Sequence, residues 1–176
     1  MDVRVEAMMR SLLPAGAALC AIAVLAACST DAPRPSSPVR PVFYQSLASP
    51  SASVDAAMAA EMISAYRGNK GLLPLTVDPG LVARAQAAAD SMARADRPAS
   101  GEALSKQLAM KGLNSPGVNL SAGYHTLAEA FSGWRDSPAH NRVMLSPQAT
   151  RLGIATAYAP GSKYKVYWAL IVAGPS

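Results

Sequence analysis

Cysteine, histidine and charge are all scarce in this chain of 176 residues. It has two cysteines, Cys20 and Cys28, and two histidines, and 15% of its residues are charged. Cys20 lies in an apolar run that we expect to be removed, which excludes an intramolecular disulfide and a cysteine-based metal site. Lys and Arg form no cluster and give a net charge of only +5, which argues against a nucleic-acid partner. A modest positive charge favours anionic surfaces such as lipid headgroups or acidic glycans.

The first 27 residues have the layout of an export signal. Two arginines form a positive start, an apolar stretch runs from Leu12 to Leu25, and small residues lead up to Cys28. The stretch is too short and wrongly flanked for a typical membrane-spanning helix. The sequence therefore predicts a removable signal peptide over residues 1–27.

The segment Leu25-Ala26-Ala27-Cys28 resembles the bacterial lipobox. The resemblance implies diacylglycerol on the Cys28 thiol and cleavage before it. Each buried methylene contributes about 0.8 kcal/mol, so two or three acyl chains give a stable membrane anchor. Ser29 after the cysteine implies the periplasmic side of a Gram-negative outer membrane rather than the inner membrane. The alternative is an ordinary signal peptide in which the cysteine occurs by chance.

Residues 28–52 are predicted to form a tether between the lipidated cysteine and a folded domain over residues 53–176. The segment is rich in Ser, Pro and Ala and cannot bury a core of its own. Phe43 and Tyr44 are its candidates for docking on the domain. A chain of this length favours a single domain, and we expect a monomer.

Periodic patterning then predicts helices early and strands late. An apolar stripe indicates a first helix, Asp78-Pro79 is typical of a second helix start, and a third helix is expected over Gly101–Lys111. Thr126 and Glu129 have the spacing of a capping box. The predicted strands are residues 118–124, 151–159 and 163–173. The stripe of the first helix comprises Val54, Met58, Met62 and Tyr66, and one face of the last strand comprises Tyr164, Val166, Trp168, Leu170 and Val172.

Residues from about Ala56 to Ala173 resemble the CAP superfamily of cysteine-rich secretory, antigen 5 and pathogenesis-related proteins, in its short bacterial form. The segment from Trp134 to His140 is similar to that family's bacterial W-x-x-S-P-x-H signature. Tyr66-Arg67 and Arg151-Leu152-Gly153 resemble other motifs of the family, in the same order. The resemblance implies an α+β fold, a three-layer α–β–α sandwich around a small antiparallel sheet. It also implies a cleft that often holds two histidines and two acids able to bind a divalent metal.

The chain departs from that ligand set. The family's first histidine is expected after the second helix, but residues 97–100 include no histidine. Val118 occupies the position of the family's glutamate, and Ser137 occupies the position of its second acidic residue. His140 is the one member that remains, and a zinc site needs three or four ligands. We therefore predict no metal and no cofactor. The alternative is a metal site formed by His125 and His140. The competing interpretation is that His125 is an exposed or capping residue.

Two interpretations of His140 stay open. Ser137 is predicted to cap the following helix through its hydroxyl, which places His140 at the positive helix end and favours a neutral imidazole for ligand contact. The imidazole could instead fix the loop by hydrogen bonding. A Ser137–His140 catalytic pair lacks a nucleophile elbow and an orienting third residue.

The sequence thus predicts a non-catalytic envelope lipoprotein. Its cleft is expected to bind a lipid, a glycan, peptidoglycan or an envelope partner through Asn119, Ser137, His140 and Asn141. The alternatives are a hydrolase or peptidase that uses His140, and a structural module that contacts peptidoglycan.

Overall fold

The computed structural model describes residues 40–176. The predicted signal peptide, Cys28 and the first part of the predicted tether lie outside the described residues. Within the described part, every helix is too short or too polar to cross a membrane.

Helices and strands alternate irregularly along this part of the chain. In order, they are α1 (Ala56–Gly68), β1 (Thr76–Val77), α2 (Pro79–Ala95), α3 (Gly101–Met110), β2 (Gly117–Ala122), α4 (Leu127–Asp136), α5 (Pro138–Met144), β3 (Arg151–Tyr158) and β4 (Val166–Ala173). Side chains cap the first four helices by accepting backbone N–H groups. The Asp78 cap of α2 and the Thr126 cap of α4 are confirmed. Glu129 completes the capping box of α4, because its carboxylate accepts the backbone N–H of His125.

The strands form one four-stranded sheet in the order β1-β3-β4-β2. β4 pairs antiparallel with β3 and β2, as predicted, but β1 pairs parallel with β3, so the sheet is mixed rather than wholly antiparallel. A two-residue strand is too short to give an alternating sequence pattern. Tertiary contacts create it: Thr76 donates to the Thr150 carbonyl, and Arg151 pairs with Asp78 at 2.6 Å.

Helices cover both faces of the sheet, which confirms the three-layer sandwich. We call α1, α4 and α5 the aromatic layer, because Trp134 of α4 packs on this side of the sheet in one core with Trp168 of β4. We call α2 and α3 the alanine layer, because seven of the 17 residues of α2 are alanine. Every residue of β4 is buried, as a strand covered on both faces must be. Tyr164 is an exception to the predicted pattern: it precedes the strand and packs with the alanine layer.

The most buried face of α1 differs from the predicted stripe. Its fully covered residues are Ala59, Ala60, Ile63 and Arg67. The predicted residues flank this face and are only partly buried. Small alanines allow the helix backbone to approach the core closely, whereas the larger side chains reach in from the sides. Ile63 and Arg67 lie on the same covered face as the two alanines, so the packed face of α1 holds both small and large side chains.

The packed region begins before residue 53. A short 3-10 helix, Val42–Tyr44, places Phe43 against the aromatic layer, whereas Tyr44 remains 50% exposed. Leu47 is buried, and its N–H donates to the carbonyl of His125 at 2.7 Å. The part of the predicted tether from Val42 onward thus lies on the domain, because these apolar side chains find covered positions there.

Candidate functional site

A cleft of about 490 Å³ runs along the open edge of β2. β2 is the last strand of the sheet, and no further strand of residues 40–176 covers it there. The first half of α3 forms one wall of the cleft and α5 forms the other. The two helices belong to different layers, so the cleft opens between the layers at the sheet edge.

The α3 wall approaches the edge strand closely at Gly101. A Cβ atom at this position would lie 2.5 Å from the carbonyl oxygen of Val118, which is closer than atoms can approach. Ser105, one turn further along α3, donates its hydroxyl to the carbonyl of Pro116 at 2.5 Å. The absence of a side chain at residue 101 and the hydrogen bond from residue 105 therefore fix this wall.

Asn119 joins the strand to the α5 wall. Its side chain is fully buried, and its Nδ2 donates to the carbonyl of His140 at 3.0 Å. Its Oδ1 has no hydrogen-bond partner within residues 40–176. A buried acceptor without a donor is costly and therefore needs an explanation. Because the atom is itself buried, a donor group of a ligand in the cleft reaches it only when the cleft wall shifts locally.

His140 is the third residue of α5 and lines the cleft half-buried. Burial lowers the pKa of its imidazole below the ordinary value. A neutral imidazole offers one donor and one acceptor. Desolvation therefore supports the predicted neutral state, and His140 also keeps its predicted position at the positive end of α5.

The structure brings together only two of the four predicted cleft residues. Ser137 stands at the N-cap of α5, but its side chain caps no N–H group, so the predicted capping bond is wrong. The proline at the first helical position already lacks a donor, and α5 begins without the hydroxyl. Asn141 accepts from the Tyr66 hydroxyl at 3.1 Å. Neither Ser137 nor Asn141 lines the cleft along β2.

The cleft does not fit the divalent metal that the family resemblance implies. Among the residues lining it, His140 and Glu102 alone carry side chains of the usual ligand types, and Glu102 is paired with Lys106 at 2.7 Å. Val118 is buried and packs with the alanine layer. No group of three ligand-type side chains occurs anywhere in residues 40–176. His125 lies outside the cleft, in the turn before α4.

Sequence reasoning missed three polar residues of the cleft. Glu102 and Ser105 line it from α3, and Arg142 lines it from α5. The spacing of three between Glu102 and Ser105 places both on one helix face, which is a readable signal. Nothing in the sequence places that face opposite α5, because the juxtaposition depends on the packing of two layers.

Structural comparisons agree with this architecture. A cysteine-rich secretory protein from Staphylococcus aureus matches with a TM-score of 0.55 and 19% identity over 68% of this chain and 38% of that one. An extracellular protein containing an SCP domain from Bacillus anthracis matches with a TM-score of 0.55 and 17% identity over 68% of this chain and 40% of that one. This chain therefore spans well under two thirds of either protein. No curated protein matches the chain significantly.

An outer surface protein from Borrelia burgdorferi matches over 71% of this chain and 98% of its own length, with a TM-score of 0.58 and 13% identity. At such identities the likenesses concern the fold. The family comparison extends to the sequence, because the model of the CAP family, described as the cysteine-rich secretory protein family, matches residues 60–172. That span holds β2, both walls of the cleft and most of both layers. The chain belongs to the CAP, or cysteine-rich secretory protein, family.

Proposed function

We propose that this protein is a non-catalytic binding module of the bacterial cell envelope, held at a membrane by lipid on Cys28. Its cleft beside His140 binds a polar, glycan-type ligand such as a peptidoglycan fragment. The observation that carries the proposal is the buried Oδ1 of Asn119, an acceptor without a partner in the cleft wall. Sugar hydroxyls and amides can donate to such an acceptor, whereas an acyl chain cannot.

The composition of the cleft supports a polar ligand. Glu102, Ser105, His140 and Arg142 line it together with backbone groups of the β2 edge. Ligand sites commonly combine an apolar surface with a few polar groups that set orientation. An envelope partner protein is the remaining alternative occupant of this cleft, and the experiments below distinguish it.

The absence of catalysis is supported by chemistry and by the family. General acid–base catalysis requires a positioned group with a suitable pKa, and covalent catalysis requires an activated nucleophile. His140 has no residue beside it that hydrogen bonds its imidazole within the described part of the chain, and Ser137 lies outside the cleft. Members of the CAP family are generally non-enzymatic.

The envelope location rests on the lipobox-like segment and on the names of structural neighbours. Two of them are described as an extracellular protein and an outer surface protein. Mass spectrometry of the protein isolated from membranes tests the anchor, with lipid mass on residue 28 as the expected result. Cys28→Ser should release the protein from the membrane fraction, and an unmodified cysteine on a freely soluble product would contradict the anchor.

Peptidoglycan pull-down tests the cleft. We expect the full-length protein to bind muropeptides, His140→Ala to weaken binding at least tenfold, and the matched exposed variant His125→Ala to leave it unchanged. Binding that disappears in high salt and is equal in both variants would indicate electrostatic adhesion instead of the cleft. Capture of an envelope protein, with no muropeptide binding, would indicate the partner alternative.

The same variants test the enzyme alternative. Release of peptides or sugars from peptidoglycan, lost in His140→Ala, would overturn the non-catalytic proposal. So would stoichiometric zinc that is lost when both histidines are replaced.

A further inference from the structure

A shallow depression of about 670 Å³ lies on the other side of α5 from the cleft beside His140. The helix and the loop that follows it form this depression, and Pro138, Leu145 and Pro147 give it an apolar surface. Sugar rings have C–H faces that can bury against such a surface, because removal of apolar area from water is favourable. The depression therefore suits a further sugar unit of a ligand that begins in the cleft.

Arg142 lines both the cleft and the depression. An α-helix turns by about 100° per residue, which places Val143 on the cleft side of α5 and Leu145 on the other side, with Arg142 between them. The arginine is exposed, and the ion pairs of residues 40–176 join other cations with their carboxylates. The two cavities thus meet at an uncompensated positive charge.

Asn141 adds a polar group to the depression. Its Oδ1 accepts from the Tyr66 hydroxyl at 3.1 Å, which fixes the side chain. Its Nδ2 has no acceptor within the described part of the chain and is available to donate to a sugar oxygen. Asn141, which was predicted as a residue of the cleft, therefore lies where an extension of the same ligand would contact it.

We propose that the ligand is an extended glycan strand that carries carboxylates, and that it crosses α5 at Arg142 from the cleft into the depression. The inference rests on the proposed function, because it extends the glycan of the cleft. A carboxylate of the strand pairs with the planar guanidinium of Arg142, and the next sugar packs on Leu145. A neutral glycan would leave the cation without a partner, and a single disaccharide would leave one of the two cavities empty.

Calorimetric titration of the full-length protein with two peptide-free fragments of peptidoglycan tests the length of the ligand. They are the disaccharide and the tetrasaccharide in which alternate sugars carry a lactyl carboxylate. We expect the tetrasaccharide to bind about tenfold more tightly, since burial of about 55 Å² of apolar surface corresponds to that factor. Equal affinity of the two lengths would overturn the proposal.

Matched leucine variants locate the additional contact. Leu145→Ala should remove the advantage of the tetrasaccharide and leave disaccharide binding unchanged, which also shows that the variant is folded. Leu73→Ala changes a leucine that is 73% exposed elsewhere on the domain, and it should keep the advantage. An advantage that survives Leu145→Ala would refute the assignment to this depression.

The methyl ester of the same tetrasaccharide tests the charge requirement. The free acid should bind roughly threefold to fivefold more tightly than the ester, as expected for an exposed ion pair. Arg142→Gln should abolish this preference, whereas Arg94→Gln, which makes the same change in net charge on α2, should retain it. A preference for the acid that is equal in both variants would indicate general electrostatic attraction and would overturn the role of Arg142.

The proposed function and the strand inference can fail separately. His140→Ala should weaken the disaccharide and the tetrasaccharide alike, because both occupy the cleft. If neither fragment binds, both proposals are wrong. If both bind with equal affinity and His140→Ala weakens both, the cleft binds a glycan and only the crossing at Arg142 is wrong.

Discussion

The two helical layers cover opposite faces of the same sheet with side chains of different size. In the aromatic layer, Trp134 is fully buried, meets Trp168 edge-on at 6.0 Å and donates to the Ser121 hydroxyl. In the alanine layer, α2 lies flat on the sheet, and α3 buries a single residue, Leu108. Large side chains fill the first layer, whereas small ones leave a cavity between the helices of the second. The comparison teaches that side-chain volume decides where a layer keeps open space.

The largest expected effect is on the aromatic layer. Trp134→Ala should lower the free energy of unfolding by about 3–5 kcal/mol, because it opens a cavity and leaves Ser121 without its donor. Leu108→Ala should cost less, about 2 kcal/mol, because α3 already borders open space. Urea denaturation measures both values. Equal losses would contradict the difference between the layers.

A buried cation holds the aromatic layer to the loop before β3. Arg67 is fully buried, and its guanidinium donates to the carbonyls of Leu73, Met144, Ser146 and Ala149. Burial lowers its pKa, and no carboxylate of the described residues pairs with it. The planar fork reaches several carbonyls at once, which the point charge of lysine cannot do.

Arg67→Lys should therefore cost about 1–3 kcal/mol of unfolding free energy, because buried carbonyls lose their donors. The exposed substitution Arg94→Lys is its control, and its effect should stay within about 0.5 kcal/mol. Thermal and urea unfolding provide the measurement. If the two variants were equally stable, the hydrogen bonds of Arg67 would not be what holds α1 to this loop.

Close backbone contact holds α2 against the sheet. A Cβ atom on Gly153 of β3 would lie 2.1 Å from the backbone of Leu81 in α2. Gly153→Ala should thus push α2 away and cost about 1–3 kcal/mol by overpacking. Gly161→Ala, where a Cβ atom meets nothing within 4 Å, is the matched control and should be nearly neutral. Comparable unfolding midpoints would show that α2 is not held as tightly as the geometry indicates.

The smallest expected effect depends on pH. Because burial lowers the pKa of His140, the unfolded chain binds a proton more readily than the folded one. This contribution to stability is present at neutral pH and is lost as the pH falls through about 6.5 toward the folded pKa. The stability difference between the wild type and His140→Gln should accordingly shrink on acidification, as measured by urea unfolding at pH 7.5 and 5. A difference independent of pH would contradict this assignment.

Much of the fold could be predicted from the sequence, because local signals carry it. Asp78-Pro79, the Thr126 capping box and the alternation of the last strand act over a few residues, and each is present as predicted. The family motifs lie in their expected order, and the family model matches residues 60–172. The parallel edge strand β1 was not predicted, because two residues are too few to show an alternating pattern.

The candidate site was less predictable. Asn119 and His140 line the same cleft, but Ser137 and Asn141 do not, although Ser137 belongs to the same motif as His140 and Asn141 directly follows it. On a seven-residue helix, a shift of one position turns a side chain by about 100° and therefore to another surface. Spacing along the chain gives the angle between two side chains around a helix. It does not give the surface that each side chain faces unless the orientation of the helix on the domain is known.

The sequence by itself determined the helix starts, the doubly covered strand and the loss of the family's acidic and histidine ligands, because these follow from residue identity and short-range geometry. Tertiary structure alone decided that the cleft opens between the two layers at the edge of β2, that the Asn119 acceptor has no partner among residues 40–176 and that Arg67 is buried among carbonyls. Those features depend on how much volume two layers leave between them, which is a property of packed surfaces and not of any segment of the chain.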